Sequence, residues 1–383
     1  MKILFIFGTR PEAIKMAPLV LELKKYNTFE VKVAVTAQHR EMLDAVLDFF
    51  NIKPDYDLNI MKPNQDLYGI TVNALLGLKE VVKAYMPDLI LVHGDTTTTF
   101  VGALAGFYEH VSIGHVEAGL RTFNKYAPFP EEMNRKLTTA LADYFFVPTK
   151  TAYNNLRKEN VDKENIFITG NTVIDALLYA KNTIENNVEV KNQIKSNLSD
   201  KGLNEKVIDS LESAAKMILI TGHRRENFGE GFLNICYALR DIAVENPNVK
   251  LIYPVHLNPN VRKPVFEILN NVENIFLIEP VDYVEFVYLM MKSYFIITDS
   301  GGVQEEAPSL GKPILVMREL TERPEAVRAG TVKLVGTDRK RILKLSNKLL
   351  MNKRFYKNMS RAINPYGDGM AAERIRTIIA KNR

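Results

Sequence analysis

The sequence predicts an α/β protein with two Rossmann-like, doubly wound domains that face each other across a cleft. Short apolar runs alternate with longer amphipathic stretches along the 383-residue chain, a pattern typical of parallel sheets connected by helices. The alternation starts again after a polar stretch near the middle, and at about 150 residues per domain the length favours two domains. Most of the runs are apolar on both faces, as buried parallel strands require.

The apolar runs predict six strands in each half of the chain. In the first half they are 3–7, 31–35, 89–93, 111–115, 144–147 and 166–169. In the second half they are 217–221, 249–254, 275–278, 294–298, 314–316 and 332–335. Between the strands, apolar residues at helical spacing predict helices over 12–26, 67–85, 231–245 and 284–292.

A polar stretch and a late break set the predicted domain boundaries. Residues 181–216 are rich in Lys, Asn, Glu and Ser and contain no proline, which predicts surface helix and connection. We therefore assign 1–175 to an N-terminal domain and 176–365 to a C-terminal domain. A break with proline and glycine precedes the last helical stretch, so 366–383 is expected to cross back to the first domain.

Composition excludes several classes of protein. The formal net charge of +5 is too small for its length to indicate a nucleic-acid partner. The single cysteine, Cys236, excludes internal disulfides, and its apolar helical neighbours predict a buried thiol. No run approaches the roughly 20 apolar residues of a membrane span, and 3–7 is too short for a signal peptide. We expect a cytoplasmic protein without a membrane partner.

The best phosphate-binding signal is the segment 298–306, TDSGGVQEE. A predicted strand ends there, a serine and two glycines follow, and a helix begins, so backbone N–H groups and the helix dipole favour an anion. A tight turn capped by the serine would have the same sequence. One turn into the helix, Glu305 or Glu306 could accept hydrogen bonds from a ribose, or simply be a favourable first-turn charge.

Basic residues follow the first predicted strand of each half. Arg10 and Lys15 stand at this place in the first half, and either could reach a phosphate by charge-assisted hydrogen bonds. His223 stands there in the second half, followed by Arg224 and Arg225. Imidazole is a proton carrier or phosphate donor near neutral pH. Both places therefore predict contacts to an anionic ligand.

Three carboxylates of the first half are candidates for acid–base chemistry. Asp95 and Glu117 stand at the ends of two successive predicted strands, and Glu131 follows a turn with two prolines. Each alone could be a helix cap or a surface charge. As a cluster they would have separated pKa values, which is what acid–base pairs need.

Other cofactor chemistries lack their motifs. His93 and His115 could supply two metal ligands, but no further ligand has suitable spacing, so no metal site is predicted. The first strand is followed by GTRPE rather than by G-x-G-x-x-G, and no P-loop motif occurs. NAD-linked hydride transfer and P-loop phosphoryl transfer are therefore not expected.

Six motifs, in order along the chain, closely resemble those of the non-hydrolysing UDP-N-acetylglucosamine 2-epimerases. They are 7–12, 93–99, 114–121, 223–227, 300–306 and 322–325. The resemblance covers nearly the whole chain. It implies a GT-B-like fold and reversible conversion of UDP-N-acetylglucosamine to UDP-N-acetylmannosamine for cell-surface polysaccharide. It also implies a homodimer and no cofactor, since UDP is retained as a bound intermediate.

The resemblance also implies roles for residues at matching motif positions. The diphosphate would be held by Ser300, Gly301, Gly302 and Arg10, with positive charge from Arg323, and the ribose by Glu306. The sugar would be surrounded by Lys15 and by the catalytic candidates Asp95, Glu117, Glu131 and His223. The uracil would lie beside Phe286.

The chain departs from the family pattern at a few positions. Val281 stands where many members have a glutamine that contacts uracil. Gln38 and His39 match positions at which some members bind a second substrate molecule as an activator, whereas Glu41 and Asn64 replace two residues used there.

The chemistry of the sugar favours elimination. The C2 proton is not acidic, so loss of UDP from C1 during deprotonation, giving 2-acetamidoglucal, avoids a carbanion. Which carboxylate removes the proton and which returns it stays open at this point. Two alternatives also remain: a hydrolysing epimerase or GT-B glycosyltransferase that uses a UDP-sugar, and a non-catalytic module that binds nucleotide sugars.

Overall fold

The structure, a computed structural model, describes residues 1–36, 40–60, 65–213 and 216–382. The chain forms two compact units, one comprising Met1–Leu178 with Tyr366–Arg383 and the other Tyr179–Pro365. Each unit is built on one sheet, and every strand pair in the described residues is parallel. This confirms the predicted α/β class.

The first unit contains seven strands in the order β3-β2-β1-β4-β5-β6-β7. Their bounds are β1 Lys2–Phe7, β2 Glu30–Val35, β3 Tyr56–Asp57, β4 Leu89–His93, β5 Ser112–Val116, β6 Tyr144–Val147 and β7 Ile166–Ile168. Its first seven helices are α1 Arg10–Lys24, α2 Arg40–Phe49, α3 Leu67–Tyr85, α4 Thr97–Tyr108, α5 Glu131–Leu141, α6 Lys150–Lys158 and α7 Thr172–Asn186. Helix α7 continues into the second unit. The order reverses at β1 and β4, so the switch point of a doubly wound sheet lies there.

The second unit contains six strands in the order β10-β9-β8-β11-β12-β13. Their bounds are β8 Met217–Thr221, β9 Lys250–Pro254, β10 Ile275–Ile278, β11 Phe295–Thr298, β12 Ile314–Val316 and β13 Val332–Leu334. Its helices are α8 Val188–Asp200, α9 Glu205–Ser210, α10 Glu230–Glu245, α11 Pro259–Leu269, α12 Tyr283–Lys292, α13 Gly301–Glu306, α14 Pro324–Ala329, α15 Arg339–Met351 and α16 Lys353–Ser360. Here the switch point lies between β8 and β11.

The last helix, α17 Ala371–Lys381, belongs to the first unit. Arg376 on this helix pairs with Glu22 of α1 at 3.0 Å. The Asp175 carboxylate accepts hydrogen bonds from the first backbone N–H groups of α17, including that of Ala372 at 2.9 Å. Burial raises the pKa of Asp175 to about 6, against the opposing effect of these hydrogen bonds.

The predicted strands are all present, with bounds that differ by at most one residue at an end. The strand that was missed, β3, has only two residues and no apolar run. Cys236 is buried in α10, as predicted. None of the helices in the described ranges combines the length and apolarity that a membrane crossing requires.

Strand register places the candidate residues of each unit at one edge of its sheet. His93, the last residue of β4, is paired with Val116, the last residue of β5. In the second unit Thr221 of β8 is paired with Thr298 of β11. Loops that follow paired strand ends must lie side by side, which brings together the residues described below.

Candidate active site

Glu117 is the centre of a buried charge cluster in the first unit. Lys15 Nζ on α1 lies 2.5 Å from Glu117 Oε2, and His93 Nε2 at the end of β4 lies 3.5 Å from the same oxygen. The side chains of Lys15 and Glu117 are only 13% and 7% exposed. Burial alone would raise the pKa of Glu117, but the Lys15 ammonium and the His93 ring outweigh it and hold that pKa well below its ordinary value. Glu117 is therefore an anion at neutral pH.

The backbone at Glu117 is in a conformation that non-glycine residues rarely adopt. Its φ is +60°, and Gly119 two residues later has φ +85°. A Cβ on Gly119 would approach the Ala152 carbonyl oxygen to 2.5 Å, so a glycine is required there. Left-handed backbone at a non-glycine residue is typical of functional sites, where the surrounding structure compensates for the strain.

Asp95 is held in place by helix α5. Its Oδ2 accepts hydrogen bonds from Arg135 Nε at 3.0 Å and Nη2 at 2.6 Å, and its backbone carbonyl accepts one from Asn134 Nδ2 at 2.9 Å. Arg135 also donates to Glu132 Oε2 at 2.9 Å. Asp95 is not the cap of the following helix, because Thr96 is the N-cap of α4. The interpretation of Asp95 as a helix cap is therefore wrong.

Glu131 and Arg10 differ from the residues above in having no ionic partner among the residues that the structure describes. Glu131 begins α5, and its Oε2 is buried without a hydrogen-bond partner among the described residues. Arg10 begins α1 and forms no hydrogen bond or ion pair within the described ranges. No side chain of the described residues engages Arg10 or Oε2 of Glu131, so both groups can act on a ligand.

A buried carboxylate, Glu12, connects two of these loops. Its Oε2 accepts hydrogen bonds from the backbone N–H groups of Gly8 and Thr9, at 3.1 and 2.9 Å. Its Oε1 accepts from the hydroxyls of Thr96 and Thr99, at 2.8 and 3.2 Å. Burial raises the pKa of Glu12 above its ordinary value in spite of these donors. Glu12 therefore ties the start of α1, which carries Arg10, to the loop that carries Asp95.

His115 has a structural partner rather than a ligand. Its Nε2 lies 2.8 Å from the Gly94 carbonyl oxygen, so this nitrogen carries the proton. Burial lowers the pKa of His115 to about 3. Within the described ranges, no three His, Cys, Asp or Glu side chains are grouped so as to hold a metal ion.

In the second unit, His223 faces a buried carboxylate. Asp299, directly after β11, has its Oδ1 at 3.5 Å from His223 Nδ1, and its Oδ2 accepts hydrogen bonds from the backbone N–H groups of His223 and Arg224, each at 2.8 Å. Burial lowers the pKa of His223, while the Asp299 carboxylate acts in the opposite direction. His223 therefore stands at the end of β8 as a neutral ring beside an anion.

The serine–glycine turn and Arg323 lie together. Ser300 is the N-cap residue of α13, and its hydroxyl and the Glu306 carboxylate flank the open space above Gly302, at 4.0 and 3.7 Å from where a Cβ would be. The Arg323 guanidinium lies over Gly301, where a Cβ would approach its Cζ to 2.9 Å. A side chain at Gly301 would thus displace the cation from this turn.

Phe286 belongs to the same region through α12. It lies one turn beyond Tyr283, whose buried hydroxyl adjoins the Glu306 carboxylate. Burial, with this carboxylate, raises the pKa of Tyr283 well above its ordinary value. Phe286 is half-buried.

The structure therefore gathers the predicted residues into two groups. In the first unit they are Arg10, Lys15, Asp95, Glu117 and Glu131. In the second they are His223, Phe286, Ser300, Gly301, Gly302, Glu306 and Arg323.

The predicted activator residues Gln38 and His39 lie outside the described residues. The sequence analysis did not single out Glu12, Arg135, Tyr283 or Asp299. Two features could have indicated such residues: Asp299 directly follows a strand, and Arg135 lies one helical turn after Glu131.

Comparison with known proteins agrees with the motifs. A family model described as UDP-N-acetylglucosamine 2-epimerase matches residues 21–380. The UDP-N-acetylglucosamine 2-epimerase of Campylobacter jejuni is 58% identical over 382 residues, covering 100% of this chain and 98% of the relative. The Escherichia coli (strain K12) protein of the same name is 56% identical, covering 100% and 99%.

Solved structures show the same fold. The UDP-GlcNAc 2-epimerase of Neisseria meningitidis, determined with UDP-GlcNAc bound, is 51% identical and superposes with a TM-score of 0.89 over 100% of both chains. The Methanocaldococcus jannaschii enzyme, in complex with UDP-GlcNAc and UDP, is 34% identical with a TM-score of 0.79, again over 100% of both chains. The chain belongs to the UDP-N-acetylglucosamine 2-epimerase family.

Proposed function

We propose that this protein reversibly epimerises UDP-N-acetylglucosamine at C2 to UDP-N-acetylmannosamine without releasing UDP. The observation that carries the proposal is the cluster of Glu117, Lys15 and His93, with Asp95 and Glu131 on adjoining loops. A module that only binds a nucleotide sugar needs no buried, strained carboxylate. Full-length identity to relatives named as epimerases favours this function over a glycosyltransferase.

The proposed reaction is an elimination followed by an addition. A base removes the C2 proton, the electrons of the C2–H bond form a C1=C2 double bond, and the C1–O bond breaks with its electrons on UDP. The 2-acetamidoglucal is then protonated at C2 from the opposite face while UDP returns to C1. Substrate and product are isomers of equal oxidation state, so the cycle consumes no redox cofactor, and we propose that it requires no metal.

The three carboxylates have environments that suit different roles. Glu117, beside the Lys15 ammonium, is a weak base and a poor proton donor at neutral pH. It suits electrostatic stabilisation of positive charge that develops on the sugar. Glu131 has no cation against Oε2 and is the best placed to exchange a proton. Asp95, oriented by Arg135, is the second acid–base group.

The second unit supplies the groups that suit a departing diphosphate. Arg323 is oriented by Glu305 at 2.9 Å and lies over Gly301. We propose that Arg323, Ser300 and the backbone N–H groups of the two glycines hold the diphosphate, together with His223. Arg10 stays a prediction as a further phosphate ligand. Fixed positive charge lowers the barrier to C1–O cleavage. Glu306 would accept hydrogen bonds from the ribose, and Phe286 would lie beside the uracil.

Deuterium incorporation is the test of this reaction. In D2O, the protein with UDP-N-acetylglucosamine should yield an epimer with deuterium at C2, followed by NMR, and almost no free UDP in a coupled assay. Stoichiometric UDP release would show a hydrolysing epimerase instead. Glu131→Gln should abolish the exchange, whereas Glu80→Gln, an exposed carboxylate on α3, should leave it unchanged. Epimer without C2 deuterium would exclude the elimination.

We also propose that the protein is a homodimer. Helix α3 has an exposed apolar stripe at successive turns, formed by Tyr68, Val72 and Leu76, which are 83%, 53% and 59% exposed. Exposed apolar stripes of this kind mark interaction surfaces. Leu76→Glu should convert a dimer to a monomer in sedimentation experiments, and Lys53→Glu, in a loop, should not. A monomeric unmodified protein would contradict this assignment.

The proposal extends to the setting of the reaction. A single buried thiol, Cys236, gains nothing from an oxidising compartment, so we propose a cytoplasmic location. The product would supply N-acetylmannosamine for cell-surface polysaccharide. Loss of that sugar from the cell surface on deletion of the gene is the expected result.

A further inference from the structure

We propose that Asp299 is a positioning residue that makes His223 a proton-coupled ligand for the diphosphate. The carboxylate keeps the ring proton on Nδ1, so Nε2 must take up a proton from solvent before it can donate to an anion. The inference rests on the proposed function in one respect, namely that His223 contacts the bound nucleotide.

Asp299 is fully buried and fixes the loop that carries His223. Its Oδ2 accepts the backbone N–H groups of His223 and Arg224, each at 2.8 Å, and lies 3.4 Å from Asn227 Nδ2. Asn227 Nδ2 also donates to the Met317 carbonyl oxygen at 3.1 Å. One carboxylate oxygen is thus committed to holding the backbone of the loop.

The other oxygen faces the imidazole. Asp299 Oδ1 is buried and has no hydrogen-bond partner among the described residues, and it lies 3.5 Å from His223 Nδ1. A buried carboxylate oxygen without a donor is costly. The His223 N–H is the donor within reach, and a small movement of this partly exposed ring would complete the hydrogen bond. The arrangement therefore favours the neutral tautomer with the proton on Nδ1.

A second histidine restricts the ring of His223. The rings of His223 and His256, which follows β9, are stacked with centroids 5.5 Å apart and planes 18° apart. His256 Nδ1 accepts the backbone N–H of Asn258 at 3.1 Å, which defines the tautomer of His256. The His256 ring lies against one face of the His223 ring and limits its movement on that side.

The charges around His223 explain why proton uptake would follow binding. The groups that face it are Asp299 after β11, His256 after β9 and Arg224 on its own loop, and burial is the main reason that its pKa is lowered. Tyr253 of β9 lies behind the loop and donates to the Gly222 carbonyl oxygen at 2.9 Å. A dianionic diphosphate added at Nε2, opposite the Asp299 carboxylate, would place anions on both sides of the ring and favour the imidazolium.

Asp299→Asn separates the charge of this carboxylate from its shape. The amide oxygen can still accept the backbone N–H groups of the loop, while its NH2 group would face His223 Nδ1. That nitrogen then becomes an acceptor, and the ring proton moves to Nε2. The variant should therefore reverse the tautomer without rebuilding the loop.

Two measurements test the proposal. Ring 15N NMR of the free wild-type protein should show His223 with its proton on Nδ1, and that of Asp299→Asn with the proton on Nε2. Calorimetry of UDP binding in buffers of different ionisation enthalpy should show uptake approaching one proton for the wild type near pH 7.5 and none for Asp299→Asn or His223→Asn. By linkage, wild-type UDP affinity should fall by up to about tenfold per pH unit above neutrality, and that of Asp299→Asn should stay constant.

The outcomes separate this inference from the proposed function. Asp241→Asn, a partly exposed carboxylate paired with Arg339, is the matched control and should take up protons as the wild type does. A wild-type ring with its proton on Nε2, or undiminished proton uptake in Asp299→Asn, overturns the inference. If UDP does not bind at all, the proposed function fails, whereas the tautomer in the free protein still decides the role of Asp299.

Discussion

Lys15→Met should destabilise the first unit strongly, because it removes the cation that neutralises a buried carboxylate. Lys15 Nζ and Glu117 Oε2 are 2.5 Å apart, and both side chains are nearly inaccessible. Breaking a buried pair by removing one partner typically costs about 3–5 kcal/mol, since the other charge stays buried. Methionine has a similar length to the lysine stem, so most of the packing is retained and the loss comes mainly from the charge.

The loss should depend on pH in a defined direction. In the wild type the pKa of Glu117 is depressed, so its stabilising contribution is complete above the ordinary value of 4.5 and lost as pH falls through the depressed pKa. Without Lys15, burial would raise that pKa above 4.5, and the penalty would grow as pH rises from 4.5 through the new value. Each pKa unit by which Glu117 rises in the variant adds about 1.4 kcal/mol to the difference in unfolding free energy between acidic and alkaline pH.

Hydrogen exchange is the suitable assay for a chain with two units. Protection of β5 amides reports opening of the first unit, and protection of β11 amides in the second unit serves as an internal reference. Lys24→Met, at the exposed end of α1, is the matched control and should change little. In Lys15→Met with Glu117→Gln, most of the stability should return, because no charge is left unpaired. A loss that is the same at pH 5 and pH 8, or no larger than in the control, would refute the reasoning.

Three further predictions follow from the same geometry. Arg135→Met removes both hydrogen bonds to Asp95 Oδ2 and should lower kcat/KM of the epimerisation by about 10- to 100-fold; an unchanged rate would remove Asp95 from the reaction. Gly301→Ala brings a methyl group to 2.9 Å from Arg323 Cζ and should weaken UDP binding by about tenfold in calorimetry; equal affinity would contradict the diphosphate assignment. Glu12→Gln sets an amide NH2 against hydrogen-bond donors and should lower the Tm by about 2–8 °C in a thermal scan; an unchanged Tm would show that these donors find other acceptors.

The strands were predictable because they are parallel and buried on both faces. In β1, for example, every residue after Lys2 is inaccessible, so the apolar run coincides with the strand. The edge strand β3 has no such run, since one residue is half-buried and the next exposed. It exists because it pairs with β2 through Ala34 and Val35, a contact between distant segments that local pattern does not contain.

The placement of candidate residues was also predictable, whereas their partners were not. Asp95, Glu117 and His223 were chosen because they follow strands, and parallel strands end at one edge of a sheet. The partners of these residues depend on how helices are rotated and on how strands are aligned in the fold. Arg135 meets Asp95 through the rotation of α5 about its axis, and Asp299 meets His223 through the register of β8 and β11. Neither variable can be read from spacing along the chain.

This difference determines how chemistry can be assigned to carboxylates that look alike in the sequence. Asp95 and Glu117 follow strands and Glu131 follows a turn. The first accepts two hydrogen bonds from Arg135, the second lies against Lys15 and a histidine ring, and Oε2 of the third has no hydrogen-bond partner in the described part of the chain. The Lys15 ammonium holds the pKa of Glu117 well below its ordinary value, so Glu117 gives up its proton readily, takes one back poorly and is suited to fixed negative charge. Oε2 of Glu131 accepts no hydrogen bond from a described residue, and this is the observation on which its proposed role in proton exchange rests. The net charge of only +5 for the whole chain does not decide these environments, because each carboxylate is governed by the charges within a few ångströms and not by the sum over the molecule.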